Sequence, residues 1–222
     1  MTRKLISPRL VRLNRKASAV LVAGIFLLLP ALARSEYVGG EGKNKPGGLQ
    51  VSIEPVFGLT KRDMSGGNGS LTSLRFFLRP TFKIYDRIAF YADIGAADFH
   101  QGDADGALGL LAGGGTKIFI INDNPYINLY IDGQFLTFSS SYGTESERFL
   151  AYQFSAILSH QENNWDIYAG PKYAQLQNSD HASDKVGIVI GIDYSVTPMV
   201  FFTAEMHNFT DDALYVGVGY RF

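Results

Sequence analysis

The sequence contains no cysteine, which excludes disulfide staples, thiolate metal centres and thiol chemistry. It is also short of long apolar runs. One stretch, Ala17 to Leu29, comes near the length of a helical membrane span, but it falls below the roughly 20 residues needed and meets Pro30. No second run of that kind follows, so the remaining chain is either water-soluble or crosses a membrane as strands. Histidine occurs four times, at 100, 160, 181 and 207, with no HExxH pair, and no metal or cofactor pattern emerges. Gly109 to Lys117 has the glycines of a phosphate loop, but the lysine is out of place and no helix follows.

The N-terminus lacks acids. Arg3, Lys4, Arg9, Arg12, Arg15 and Lys16 precede the apolar run, and Ala31-Leu32-Ala33 then places small residues where a signal peptidase reads them. A cleavable signal peptide over 1–33 is expected, with the cut after Ala33. Its removal takes six basic residues from 20, leaving 14 against 21 acids and a net charge of −7. An acidic exported chain is a poor partner for nucleic acid. Residues 34–47, rich in Gly, Lys and Glu, read as a flexible periplasmic lead-in, and the domain proper spans 48–222.

What the chain has in quantity is aromatic residues, 16 Phe and 12 Tyr, arranged with period two. Leu49, Val51, Ile53, Pro55, Phe57 and Leu59 alternate with Gln50, Ser52, Glu54, Val56, Gly58 and Thr60. Leu74, Phe76, Leu78, Pro80, Phe82 and Ile84 alternate in the same way with Ser73, Arg75, Phe77, Arg79, Thr81 and Lys83. Ten such segments are predicted, at about 48–60, 71–84, 88–97, 107–120, 126–138, 148–160, 165–175, 185–195, 199–207 and 213–222. The polar stretches between them alternate in length. Short turns fall at 85–87, 122–125, 161–164 and 196–198, and longer loops at 61–70, 98–106, 139–147, 176–184 and 208–212. That rhythm predicts an all-β fold, a transmembrane antiparallel up-and-down barrel of ten strands with eight as the alternative. Pro55, Pro80 and Pro171 fall inside predicted strands, where each removes a ladder hydrogen bond, so bulges or a shifted register are expected there.

The last strand carries the most specific signal. Tyr215, Gly217, Tyr220 and the terminal Phe222, within YVGVGYRF, resemble the C-terminal β-signal of bacterial outer-membrane proteins. The chain as a whole resembles the small OmpA-type and porin-like β-barrel domains. That resemblance implies residence in the outer membrane of a Gram-negative bacterium, contact with its lipid and lipopolysaccharide, and insertion by the barrel assembly machinery. Two hydrolytic families have similar barrels. Lipid A deacylases pair a His with a Ser two residues on, whereas here His207 is followed by Asn208 and Phe209. Omptin-type proteases use paired acids with a His, for which His207, Asp211 and Asp212 supply the residue types but no second acidic pair. The chain is therefore read as not an enzyme, with lipid or peptide hydrolysis as the remote alternative.

Strand parity places Glu54, Asp93, Asp132, Asp166, Asp193 and Glu205 in the lumen with Arg75, Arg79, Lys83, Lys117, Lys172 and Arg221. A narrow barrel is nearly filled by its own side chains, and charges inside it must be paired or hydrated. An ion-pair network that plugs the barrel is expected, with Glu54 and Asp93 as partners of Arg75 and Arg79, and a structural or surface-contact role. A narrow porin-like channel lined by the same residues is the alternative. The loop acids Asp98, Asp103, Asp105, Glu145, Glu147, Asp180, Asp184, Asp211 and Asp212 would face outward, where divalent cations could bridge them to anionic lipid.

Overall fold

The computed structural model describes residues 49–222 apart from 64–69, 85–86, 102–103, 123, 125, 143–144, 178–181 and 210–211. The expected signal peptide and lead-in lie outside the described residues. In chain order the strands are β1 (Gln50–Asp63), β2 (Ser70–Ile84), β3 (Ile88–Ala97), β4 (His100–Gln101), β5 (Ala104–Asp105), β6 (Gly109–Ile121), β7 (Ile127–Tyr142), β8 (Glu145–Glu162), β9 (Trp165–Gln177), β10 (Ala182–Ser195), β11 (Val200–Asn208) and β12 (Asp212–Arg221). All neighbours are antiparallel. The ten long strands pair in sequence order and β12 returns to β1, closing an up-and-down barrel of ten strands. Closure leaves no edge, so the ladder satisfies the backbone polar groups that lipid cannot.

Each of the ten predicted segments coincides with a barrel strand. Inward and outward residues alternate along every strand: Phe57, Leu59, Ile94, Phe154, Ile167 and Leu214 stand exposed on the outer face, while Phe77, Asp93, Phe138 and Lys172 are buried inside. A water-soluble barrel holding an apolar ligand would show the opposite arrangement, whereas an apolar outer belt is what a lipid solvent requires.

Three features differ from the sequence-based expectation. First, the prolines produce neither bulges nor a changed register. Pro55 keeps its place opposite Leu78, but the β1–β12 ladder passes from Ile53↔Tyr220 to Val56↔Gly217. Pro80 likewise pairs with Ile53 while the β2–β3 ladder skips from Leu78↔Ile94 to Thr81↔Tyr91. Pro171 pairs with Ile188, and the β8–β9 ladder skips from Ser155↔Lys172 to Leu158↔Ala169. A strand residue directs its N–H to one neighbour only, so each proline breaks pairing on one side and the register closes up beyond it. The register shift that does occur lies between Phe119 and Ile121.

Second, much of what reads as long loop is strand. β7 continues to Tyr142 and β8 starts at Glu145, so most of 139–147 belongs to a projecting hairpin. Polar residues do not end a strand once it has left the lipid belt, because its outer face there is solvated. At the opposite end, the turn between Glu162 and Trp165 is only Asn163-Asn164, with Asn163 at φ 53°, a left-handed conformation that Asn tolerates.

Third, the stretch 98–106 holds the small hairpin β4–β5. It pairs with β2 through Leu71↔Gln101 and Thr72↔His100, while Ala107 bridges to Ser141 of β7. The hairpin fills the notch in the wall above β3 and β6. Asp98 fixes its start by donating its backbone N–H to the Leu74 carbonyl at 3.0 Å and accepting the Leu74 N–H on Oδ1 at 2.7 Å.

Candidate functional site in the barrel lumen

Inward side chains fill the cylinder in layers. On the loop side Leu71, Phe77, Phe99, Leu111, Leu136, Phe138, Phe149, Ala151 and Leu176 form an apolar seal with Val56, Ala97, Ala213 and Tyr215. The Phe138 and Phe149 rings stack at 4.8 Å, and Phe99, carried in by the small hairpin, meets Phe149 edge-on at 5.3 Å. The two Phe side chains and Leu111 are 0–1% exposed. Aromatic pairs in these geometries add to the burial of the rings themselves.

Midway down, the chemistry changes. Arg79 grips Asp93 with two parallel bonds, Nε to Oδ1 at 2.7 Å and Nη2 to Oδ2 at 3.2 Å, and Gln134 donates to the same Oδ2 at 2.7 Å. Asp93 is fully buried, and these three donor contacts satisfy its two carboxylate oxygens there. Tyr91 donates to Asp132 at 2.9 Å, and Tyr168 donates to Glu205 at 2.8 Å. The other oxygen of Glu205 takes a bond from His207 Nε2 at 2.7 Å, while Lys172 Nζ lies 2.5 Å from His207 Nδ1. A polar cavity of about 30 Å³ lies among these groups, lined in part by Lys117, Asp132, Lys172, Glu205 and His207, with room for about two waters.

Below this layer Tyr130, Ile157, Tyr168 and Val189 form a second apolar ring with Phe119 against it. Toward the short turns the lumen is polar again. Asp166 and Asp193 sit directly opposite each other on β9 and β10, Arg221 donates to Ser195 at 3.0 Å and covers the Phe201 ring at 4.2 Å, and Lys83 covers Phe119 at 4.8 Å.

All twelve charges expected in the lumen are therefore inside it, but they do not pair off as adjacent strands suggest. Arg79–Asp93 joins neighbours. Arg75 turns away from Glu54 and instead donates to the Tyr215 hydroxyl at 3.1 Å, with its guanidinium 5.0 Å from the Phe138 ring. Glu54 lies within hydrogen-bonding reach of Thr203. Lys117 rests over Tyr91 and Tyr130 at 6.0 and 5.5 Å. Cations here lean on aromatic faces as much as on carboxylates, an arrangement that strengthens where water is excluded.

Most of the polar contacts also skip a strand. Tyr91 on β3 reaches Asp132 on β7 across β6, and Tyr168 on β9 reaches Glu205 on β11 across β10. The strand between presents glycine at that height. A methyl group on Gly115 would collide with the Tyr91 hydroxyl, and one on Gly191 with the Tyr168 ring. Inward glycines thus act as windows through which second-neighbour side chains meet.

Residues missed from the sequence are the inward tyrosines Tyr91, Tyr130 and Tyr168 and the bridging His207. Parity with Asp93, Asp132, Asp166 and Glu205 on their own strands was the signal available for each. The four residues of the terminal motif divide between faces: Tyr215 and Gly217 point inward, the Tyr220 ring meets the exposed Phe222 edge-on at 5.0 Å, and the Phe222 amide bonds to Val51 at 2.9 Å. Of the loop acids, Asp98 is held by Leu74 and stands 3.7 Å from His100, and exposed Asp212 pairs with Lys61 in the β1–β12 register. Asp103, Asp180, Asp211 and the side chains of Asp105, Glu145, Glu147 and Asp184 lie outside the described residues. Among the described residues no cluster of three or more His, Asp or Glu could hold a metal ion.

No protein-family model matches the sequence, and no curated protein matches it either. Solved structures do. The β domain of the Bordetella autotransporter BrkA is 10% identical with a TM-score of 0.50, covering 80% of this chain and 100% of its own. The translocator domain of autotransporter NalP from Neisseria meningitidis is 12% identical with a TM-score of 0.48 (93% and 98% covered), and an outer membrane channel from Pseudomonas putida F1 is 11% identical with a TM-score of 0.45 (84% and 100%). Identities this low speak to the fold alone. The fold is that of the outer-membrane β-barrels.

Proposed function

We propose that this chain is an outer-membrane barrel with a closed lumen, serving a structural or surface-contact role and catalysing no reaction. The observation that carries this reading is the loop-side seal of Phe99, Phe138 and Phe149, which stands between the external face and the polar layer beneath it. A barrel of eight strands is about filled by its side chains, and ten strands widen it only modestly. Here the aromatic residues take up that extra width. Both nitrogens of His207 are engaged by Lys172 and Glu205, so neither is turned toward a nucleophile, which speaks against a hydrolase.

The same reading includes export by the N-terminal 33 residues with cleavage after Ala33, recognition of the terminal strand by the barrel assembly machinery, and contact of the projecting β7–β8 hairpin and the loop acids with lipopolysaccharide. Cell fractionation with mass spectrometry should find the chain in the outer membrane starting at Arg34, and deletion of Phe222 should lower its surface level more than Phe76→Ala does. Liposomes carrying the refolded protein should exclude small sugars and amino acids. Uptake of either at porin-like rates would replace this reading with the narrow channel.

A further inference from the structure

His207 joins two oppositely charged groups of the polar layer through one neutral ring. Lysine can only donate, so Lys172 Nζ at 2.5 Å requires His207 Nδ1 to accept, and the ring proton must sit on Nε2, where it is given to Glu205 Oε1 at 2.7 Å. The ring is 4% exposed. Its surroundings are fixed on every side. Lys172 and Tyr168 face it from β9, Glu205 lies on its own strand, and Tyr215 on β12 has its ring 5.2 Å away with Arg75 of β2 bonded behind it. Arg79 of β2, Lys117 of β6 and Asp132 of β7 face it across the cavity of about 30 Å³, and Val189 of β10 is its cross-strand neighbour.

We propose that His207 is an acid-sensitive joint of the lumen, which releases Lys172 when its ring takes a second proton. The proton enters from lumen water onto Nδ1, using the lone pair that accepts from Lys172. Lys172 keeps its own proton, so two donors then face each other at hydrogen-bonding distance and the contact must open. The Glu205 bond survives and gains charge, which holds the ring in place. The ammonium therefore moves, and the space open to it is the polar cavity that both side chains line, with Asp132 on its far wall. The proposal concerns the polar layer alone and holds whether or not the lumen conducts.

Two measurements test it. With His100, His160 and His181 replaced by Asn, ¹⁵N NMR of the refolded barrel reports His207 alone. At pH 7.5 it should show a protonated Nε2 and a bare Nδ1, and on acidification both nitrogens should become protonated as the Lys172 signal shifts. A bare Nε2 at pH 7.5, or a ring unchanged on acidification down to pH 4.5, overturns the proposal. In the second, unfolding in urea should be about tenfold faster at pH 5 than at pH 7.5, the order expected for the loss of one buried hydrogen bond. His207→Gln can accept from Lys172 and donate to Glu205 without titrating, and should remove most of that change. A pH response of equal size in His207→Gln would contradict the proposal. Should that variant fail to fold, the NMR titration decides alone.

Discussion

Above Arg79 the lumen is sealed by ring against ring, while below Tyr130 the same cylinder carries Asp166, Asp193, Lys83 and Arg221, all half-buried. The two halves share one ladder and one alternation, yet they are stabilised differently. The loop-side half is held by shape: Phe138, Phe149 and Leu111 have no polar alternative and gain only by close packing. The turn-side half is held by chemistry, since every charge there needs a ring, a hydroxyl or water. Between them, the layer of Arg79, Asp93, Glu205 and His207 combines both demands: Asp93 and His207 are as buried as the seal, while Arg79 and Glu205 stay partly exposed like the charges of the mouth. Substitution effects should follow this order.

The largest effect is expected in the seal. Replacing Phe149 by Ala should cost about 3–5 kcal/mol of unfolding free energy, and the Phe138→Ala/Phe149→Ala pair more, though less than twice as much because the two rings stack on each other. Urea unfolding from lipid vesicles measures this. A loss below about 1 kcal/mol would mean the seal is loosely packed.

Next comes the middle layer. Arg79→Ala leaves Asp93 buried with Gln134 as its remaining donor, a loss of about 3–5 kcal/mol, and adding Asp93→Asn should recover a good part of it. Arg75→Ala, which removes a bond to Tyr215 and no ion pair, should cost less in the same titration. Equal losses for the two arginines would erase the distinction between them. Smaller again is Gly191→Val, whose side chain would enter the space of the Tyr168 ring and should cost about 1–3 kcal/mol. In that variant the Tyr168 ultraviolet signal should change as its bond to Glu205 is lost.

The smallest effect is at the turn-side mouth. Asp166 faces Asp193 across the ladder, so Asp166→Asn relieves a like-charge pair and should leave stability unchanged or raise it by up to about 1 kcal/mol. A marked loss would show that the two carboxylates are tied to something more demanding than solvent.

How much of this was legible in the sequence follows the same division. Strands were legible because a lipid solvent on one side and a filled lumen on the other impose period two on every segment, and the ten segments coincide with the ten barrel strands. Inward charges were legible for the same reason. Strand ends were not, because outside the lipid belt polarity no longer distinguishes strand from loop, as residues 139–142 and 145–147 show. The hairpin at 100–105 escaped because each strand is two residues long and depends on contacts with distant β2 and on the insertion of Phe99. Pairing inside the lumen was hidden by geometry. Adjacency predicts nearest-neighbour partners, such as Arg75 with Glu54, but inward side chains lean over glycines toward the next strand but one. Arg75 accordingly finds Tyr215, and Tyr168 finds Glu205.

Whether the seal closes the barrel can be read from single-channel recording in planar bilayers. Wild-type protein should insert and pass no current at neutral pH. The Phe138→Ala/Phe149→Ala variant, inserted to the same level, should show discrete openings whose size is set by the polar layer below. Steady openings of the wild type, unaltered by removing the two rings, would contradict the closed-lumen account.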